Sequence, residues 1–310
     1  MKKLKVACVQ AHSIYGDVEK TLKKASILIK EASSNGADVV VFPEVFLGGY
    51  PRGMNFGNSV GVRTIKGRND FVKYHSQAIK VPGCQTAKLA SLAKRYAIDL
   101  IIGVLEVDSC NVLGTIYCSM LIFNNNGKLI HKHRKIKPTA SERLIWGEGD
   151  IQTVKVVETN DTKIGGLICW ENKMPLLRNH LYEQGVQLYV APTADGRDSW
   201  MTSMQHIAQE GGCFVISSNQ YAKIDDIYSC EIHKQLSICE NDKDQNDNLY
   251  SGGSLICNPA GEIIAGPLRG QEGILYADIN PEEITKAKFD FDVVGHYRCA
   301  LTKNNTLEEI

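Results

Sequence analysis

The chain alternates short β-branched runs with stretches of helical periodicity. Residues 4–9 are apolar except for Lys5, residues 39–42 are apolar throughout, and both runs contain β-branched valines, which predicts two strands. Residues 18–33 between them predict an amphipathic helix that ends at Asn35-Gly36. The apolar positions of this helix are Leu22, Ala25, Ile29 and Ala32. Because the run at 39–42 is apolar at every position, we expect that strand to be buried on both faces.

The same alternation continues along the rest of the chain. Further helices are predicted at residues 86–96, 176–184 and 200–210. Further strands are predicted at residues 99–104, 119–123, 128–132, 163–169, 188–192, 213–218, 253–257 and 262–266. The turn signals Asn125-Asn126-Gly127 and Pro259-Ala260-Gly261 each join two of these strands as a hairpin. This order predicts an α/β fold with layered, mixed sheets, and we expect one domain over residues 1–310.

Composition narrows the possible functions and locations. Lys and Arg number 35, as do Asp and Glu, so no nucleic acid partner is expected. Apolar runs are too short for a membrane span or a signal peptide, so we expect no membrane association. The 10 cysteines form no C-x-x-C pair, and those in apolar runs are typical of buried free thiols (Cys8, Cys118, Cys213 and Cys257). Together these features predict a reduced, cytoplasmic protein without a metal site.

Three positions are candidates for chemistry, and each has an ordinary structural alternative. Cys169 lies at a strand-to-helix corner, where sites of α/β proteins gather and a helix start favours a thiolate, yet most cysteines must be core residues. Glu44 follows the apolar strand at 39–42 and precedes a glycine-rich stretch, which favours a place in a tightly shaped site loop. The alternative is that Glu44 is an exposed acidic residue in an ordinary loop. Lys135 follows the strand at 128–132, and composition alone does not separate it from neighbouring surface lysines.

A resemblance to a known protein family connects these three positions as parts of one site. The three signature blocks of the nitrilase superfamily are similar to VVVFPEVFLGGYPRG (39–53), HRKIKPTASERLIWGEGD (133–150) and IGGLICWENKMPLLR (164–178). The likeness continues through residues 203–220, 252–268 and 291–297, so it covers nearly the whole chain. Within the third block, Cys169-Trp170-Glu171 is typical of the nitrile-hydrolysing branch.

The resemblance implies a four-layer α-β-β-α sandwich and a site that uses no metal and no cofactor. It implies that Cys169 attacks a small-molecule nitrile, that Glu44 acts as general base, and that Lys135 stabilises developing charge. Glu142 is expected to orient Lys135 or to share proton transfer. The reaction would pass through a thioimidate and a thioester to a carboxylic acid and ammonia, or release an amide if the intermediate collapsed the other way.

The substrate-binding residues and the quaternary structure are predicted from the same likeness. Tyr50 and Trp170 are expected to line the pocket, although a core tryptophan fits equally well, and His296 is included because Gly-His-Tyr matches a family pattern. The family's usual Arg-Pro-Asp continuation is absent after residue 297. We expect a homodimer or larger homo-oligomer, with a tail from about residue 298 that is flexible or lies at a subunit interface. The irregular segment 222–250 is expected to be a surface loop without effect on chemistry.

Other functions stay open at this point. An amidase, an N-carbamoyl hydrolase or a cyanide-hydrating enzyme could use the same Glu-Lys-Cys site. A binding protein that keeps the fold without turnover would be expected to lack one of the three residues, and all are present. A thiol-redox protein would need a resolving cysteine near Cys169, and the nearest in sequence are Cys118 and Cys213.

Overall fold

The computed structural model describes residues 2–108, 114–159, 162–224, 226 and 248–298. Its α-helices are α1 (Val18–Ser34), α2 (Ile65–His75), α3 (Cys84–Tyr96), α4 (Pro175–Glu183), α5 (Asp198–Gly211) and α6 (Glu282–Asp290). Short 3₁₀ helices cover Ala140–Leu144, Ile151–Thr153 and Cys169–Lys173. The strands are β1 (Leu4–Gln10), β2 (Val39–Val41), β3 (Asn58–Ser59), β4 (Val62–Arg63), β5 (Ile79–Lys80), β6 (Asp99–Val107), β7 (Ile116–Phe123), β8 (Leu129–Arg134), β9 (Val157–Glu158), β10 (Lys163–Gly166), β11 (Leu188–Val190), β12 (Phe214–Ser217), β13 (Tyr221–Lys223), β14 (Asn248–Cys257), β15 (Ile263–Arg269) and β16 (Gly273–Ile279).

The long strands form two mixed, seven-stranded sheets. The first sheet has the order β16-β1-β2-β6-β7-β8, with β5 also paired to β6. The second has the order β13-β14-β12-β11-β10-β9, with β15 paired to β14. The centre of each sheet is parallel: β1, β2 and β6 in the first, and β10, β11 and β12 in the second. Antiparallel hairpins extend both sheets outward from these centres.

The two sheets face each other and helices cover their outer faces. Along β2, Val39 and Val41 pack between the sheets, whereas Val40 packs outward against the helices α1 and α3. On the other side, α4 and α5 bury residues such as Leu181 and Trp200 against the second sheet. The four-layer α-β-β-α sandwich expected from the sequence is therefore confirmed, and β2 is buried on both faces as its composition predicts.

Local sequence signals account for several of the element boundaries. The Asp17 side chain accepts a hydrogen bond from the Lys20 N–H and caps α1, which ends at Asn35. Pro175 is the first residue of α4, where its missing N–H has no helical partner to lose. Both predicted hairpins are present, as β7–β8 and β14–β15. In the first of these, Gly127 has a φ of 78°, a conformation that favours glycine.

Several elements were not predicted from the sequence. These are β16 and the helices α2 and α6, besides the short strands β3, β4, β5, β9 and β13. The helix α6 buries only Ile284, and α2 buries only Gly67 and Tyr74, so neither has a marked apolar stripe. Of the irregular segment 222–250, the structure describes only residues 222–224, 226 and 248–250, and of the tail from about 298 it describes only Arg298.

Candidate active site

Glu44 lies just past the carboxyl end of β2, between the two sheets, and is fully buried. Gly103 of β6 packs directly against its backbone, and a Cβ at Gly103 would lie 2.3 Å from the Pro43 carbonyl oxygen. The Glu44 carbonyl oxygen accepts a hydrogen bond of 2.7 Å from the Gln220 amide, which belongs to the second sheet's side of the site. Contacts from both sheets therefore fix the backbone that carries this carboxylate.

Lys135 follows β8 directly and places its ammonium between two carboxylates. The Nζ atom lies 2.7 Å from Glu44 Oε1 and 2.8 Å from Glu142 Oε2, and the Lys135 side chain has no exposed surface. Burial is the largest influence and would lower the pKa of Lys135, but the negative charges around it, chiefly that of Glu44, together outweigh burial and raise that pKa well above its usual value. Lys135 is thus a fixed cation inside the protein, not one of the surface lysines that composition suggested.

Glu142 lies in the first turn of the 3₁₀ helix Ala140–Leu144 and is almost completely buried. Its Oε2 also accepts the backbone N–H of Thr139 at 2.6 Å, which closes a capping box. Its Oε1 accepts a hydrogen bond of 2.7 Å from the Tyr50 hydroxyl. The carboxylate therefore links Lys135 to Tyr50, and its role in orienting Lys135 stays a prediction.

Cys169 stands three residues past the end of β10, at the first position of a 3₁₀ helix. Its φ of 51° is unusual for a non-glycine residue, and the conformation is held by its N–H, which donates to the Pro192 carbonyl at 2.9 Å. The Thr193 hydroxyl donates to Sγ at 3.1 Å. Burial, and then the negative charge of Glu44, raise the pKa of the Cys169 thiol well above its usual value, so the thiolate expected from a helix start is not favoured.

Glu44 is suited to accept the proton of this thiol. Burial, opposed by the Lys135 charge, raises the pKa of Glu44 to about 6. The Cys169 thiol is close enough to the carboxylate to lower that pKa. A carboxylate with a pKa near neutrality is mostly ionised at pH 7 and still basic enough to take a proton during attack.

Glu171, the third residue of Cys169-Trp170-Glu171, lies behind the site. Its fully buried carboxylate accepts the Ile136 N–H at 2.5 Å and the Ile168 N–H at 2.8 Å. Its Oε2 is also 3.1 Å from His133 Nε2. One carboxylate therefore binds the backbone N–H of the residue after Lys135 and that of the residue before Cys169.

One cavity of about 370 Å³ opens above these groups. Its lining consists of Tyr50, Arg52, Thr139, Glu142, Cys169, Trp170, Ala194, Asp195, Gly196, Arg197, Asn219, Asn248, Leu249, Tyr250 and Ser251. Tyr50 and Trp170 thus line the cavity, as the sequence analysis expected. The Trp170 indole donates a hydrogen bond of 2.8 Å to Asp195 Oδ2. His296 does not line the cavity, since it lies on an exposed turn after α6.

Sequence reasoning missed much of this lining. Asp195 lines the cavity after β11, and Thr193 just before it donates to Cys169 Sγ, yet no motif distinguished either residue. Residues 248–251 line the cavity, so the far end of the segment 222–250 is not the chemically neutral surface loop that we expected. The apolar strand at 188–192 is a signal that could have directed attention to Thr193 and Asp195, because sites gather at the carboxyl ends of parallel strands.

The arrangement suits covalent catalysis on a small electrophile. A thiol, a carboxylate and an ammonium meet in a buried place that is reached through one cavity. Among the described residues, no group of three His, Cys, Asp or Glu side chains is arranged to hold a metal ion. In the same part of the chain, no helix is long and apolar enough to cross a membrane.

Comparison with known proteins agrees with this geometry. The sequence profile of the carbon-nitrogen hydrolase family matches residues 5–289. A bifunctional nitrilase/nitrile hydratase, NIT4A of Lupinus angustifolius, is 50% identical over 95% of this chain and 83% of its own length. Nitrilase 2 of Arabidopsis thaliana is 46% identical over 95% of this chain and 85% of its own length.

Solved structures share the fold at much lower identity. Nit3 of Saccharomyces cerevisiae, described as a member of branch 10 of the nitrilase superfamily, superposes with a TM-score of 0.74 at 23% identity, over 96% of this chain and 97% of its own. A carbon-nitrogen hydrolase from Helicobacter pylori G27 gives a TM-score of 0.74 at 18% identity, over 99% of both chains. With a profile match over most of its length and relatives at about half identity, this chain belongs to the carbon-nitrogen hydrolase family.

Proposed function

We propose that this protein hydrolyses an organic nitrile to a carboxylic acid and ammonia, with Cys169 as the nucleophile. The observation that supports this most directly is the buried contact of Lys135 with Glu44 and Glu142 beside the Cys169 thiol, at a single cavity. Relatives at 46–50% identity are named nitrilases, which favours a nitrile over other carbon–nitrogen substrates.

In the proposed reaction, Glu44 takes the Cys169 proton as Sγ bonds to the nitrile carbon, and it passes that proton to the nitrile nitrogen to give a thioimidate. Lys135 stabilises the negative charge that develops on that nitrogen; one such donor is worth roughly 3 kcal/mol. Glu44 then activates a water that adds to the same carbon. The carbon–nitrogen bond breaks, ammonia leaves, and a thioester remains. A second water breaks the carbon–sulfur bond, which releases the acid and returns the proton to Cys169.

A second product is also proposed. If the tetrahedral intermediate expelled the thiolate instead of ammonia, the carbon–sulfur bond would break first and an amide would be released. Two relatives at 49–50% identity are named bifunctional nitrilase/nitrile hydratase, which supports release of some amide by the present chain. Amidase, N-carbamoyl hydrolase and cyanide-hydrating activities are the alternatives that use the same residues.

The wider setting is part of the same proposal. Both sheets share the central core, which supports one domain. The cysteines that the structure describes are free thiols, as expected in a reducing compartment such as the cytoplasm. We further propose a homodimer or larger homo-oligomer without a nucleic acid partner, to be tested by light scattering of the purified protein.

The decisive experiment compares wild type with Cys169→Ala on a panel of nitriles, the matching amides and cyanide. Ammonia is assayed enzymatically, and acid and amide are quantified by mass spectrometry. Cys257→Ala is the matched control, because Cys257 is also a buried free thiol but lies outside the site. We expect wild type and the control to release ammonia from a nitrile and Cys169→Ala to release none. Turnover of amides alone would refute the nitrile assignment, and an active Cys169→Ala protein would refute the nucleophile.

A further inference from the structure

A second buried thiol lies beside the Glu44 carboxylate. Cys118 of β7 is 1% exposed, and its Sγ donates to Glu44 Oε1 at 3.5 Å. Its backbone carbonyl accepts the Lys135 N–H at 2.8 Å. One residue therefore contacts both Glu44 and Lys135, through its side chain and its main chain respectively.

The two oxygens of the Glu44 carboxylate have different surroundings. Oε1 accepts from both Lys135 Nζ and Cys118 Sγ. Oε2 is buried and accepts no hydrogen bond of good geometry from the described residues. Buried carboxylate oxygens are normally hydrogen-bonded, so an oxygen left free in a catalytic site calls for a functional explanation.

We propose that Cys118 is a positioning residue that holds the Glu44 carboxylate so that Oε2 is the atom that exchanges protons with Cys169 and water. Two donors on Oε1 fix the carboxylate plane and leave the second oxygen free to act as a base. The inference rests on the proposed function of Glu44 and adds the atom that acts and the residue that orients it.

Cys118 is not suited to serve as a second nucleophile. Burial, and then the charge of Glu44, raise the pKa of Cys118 well above its usual value, so the thiol keeps its proton. A protonated thiol can donate a weak hydrogen bond, and it is a poor nucleophile. Cys118 also does not line the cavity.

The test uses Cys118→Ala, which removes the donor, and Cys118→Ser, which supplies a stronger one. Removing a donor from an ionised carboxylate raises its pKa, and strengthening the donor lowers it. We expect Cys118→Ala to lower kcat about three- to tenfold with little change in KM, since a freed carboxylate loses orientation. The acid limb of the kcat/KM profile should move to higher pH in Cys118→Ala and to lower pH in Cys118→Ser. Cys257→Ala controls for the loss of a buried thiol.

A second readout needs no substrate. The rate at which iodoacetamide alkylates Cys169, followed by peptide mass spectrometry across pH, should show the same opposite shifts. The positioning role would be overturned if the acid limbs of both variants coincided with that of the wild type, or if both moved in the same direction. In that case, ammonia release by the wild type would still uphold the proposed function. A wild type inactive on every nitrile and amide would instead refute the proposed function, and the inference would fall with it.

Discussion

Glu171→Gln tests whether the carboxylate behind the site aligns Lys135 with Cys169. Glu171 uses both oxygens: Oε1 accepts the Ile136 N–H, and Oε2 accepts the Ile168 N–H and faces His133. Glutamine has nearly the same shape but only one acceptor oxygen. If that oxygen takes the place of Oε2, the amide NH₂ faces the Ile136 N–H, so two donors meet in a buried place.

The expected loss of stability follows from the one Ile136 N–H that is left without an acceptor. A buried N–H left without an acceptor costs about 1–3 kcal/mol. For 310 residues, with roughly 2 cal/mol/K of unfolding entropy each, this lowers Tm by about 2–5 °C. Ile136 follows Lys135 directly, so relief of the mismatch would move the Lys135 backbone. A displacement of about 1 Å at a catalytic group costs up to roughly 100-fold in rate, and we expect kcat to fall about 10- to 100-fold.

Scanning calorimetry and steady-state ammonia release measure the two effects on the same protein. Glu158→Gln is the matched control, because Glu158 lies on the exposed part of β9 and should tolerate the change. A fall in Tm without a fall in kcat would show that Glu171 stabilises the fold but does not align the site. If neither quantity changed, the assignment of the Ile136 N–H to this carboxylate would be refuted.

Three further predictions address the other contacts of the site. Gly103→Ala places a Cβ 2.3 Å from the Pro43 carbonyl oxygen, so we expect a loss of about 1–3 kcal/mol of stability and at least about tenfold in kcat, measured by urea unfolding and ammonia release. Because burial raises the pKa of Glu44 to about 6, kcat/KM should fall about tenfold per pH unit below that pH, and a flat profile from pH 7 to 5 would contradict the base assignment. Tyr50→Phe removes the hydroxyl that donates to Glu142 and should cost about 1–2 kcal/mol of stability, seen as a lower Tm, with a few-fold loss of kcat.

The sequence identified the site residues for unequal physical reasons. Glu44 could be argued from its place after the apolar strand β2, because such strands end where sites form. Lys135 could not be, because nothing local reports that a lysine after β8 points between two sheets. Only the resemblance to a family with ordered Glu, Lys and Cys motifs selected it. Cys169 was an intermediate case: its place at a strand-to-helix corner favoured a functional role, but most of the ten cysteines must be core residues.

The features that sequence reasoning missed depend on contacts distant in the chain. The strand β16 pairs with β1 along its whole length, from Leu4↔Ile279 to Gln10↔Gly273, although the two are separated by most of the chain. Tyr250 reaches the cavity from the second sheet, where its hydroxyl is 2.8 Å from that of Tyr15. Cys118 was predicted to be a buried free thiol, and it is, but its contact with Glu44 could not be inferred from periodicity.

The buried charges of the site support the proposal that Cys169 attacks with the help of a base and not as a preformed thiolate. Lys135 has two carboxylate partners, Glu44 and Glu142, so the group is negative overall when both are ionised. A net negative charge in a buried place opposes ionisation of Cys169, in agreement with the raised pKa of its thiol. In the mechanism that we propose, the proton stays on sulfur until the substrate carbon accepts the electron pair, and Glu44 then takes it. The structure thus suits a mechanism in which proton transfer and attack occur together, with Lys135 stabilising the charge as it moves to the substrate nitrogen.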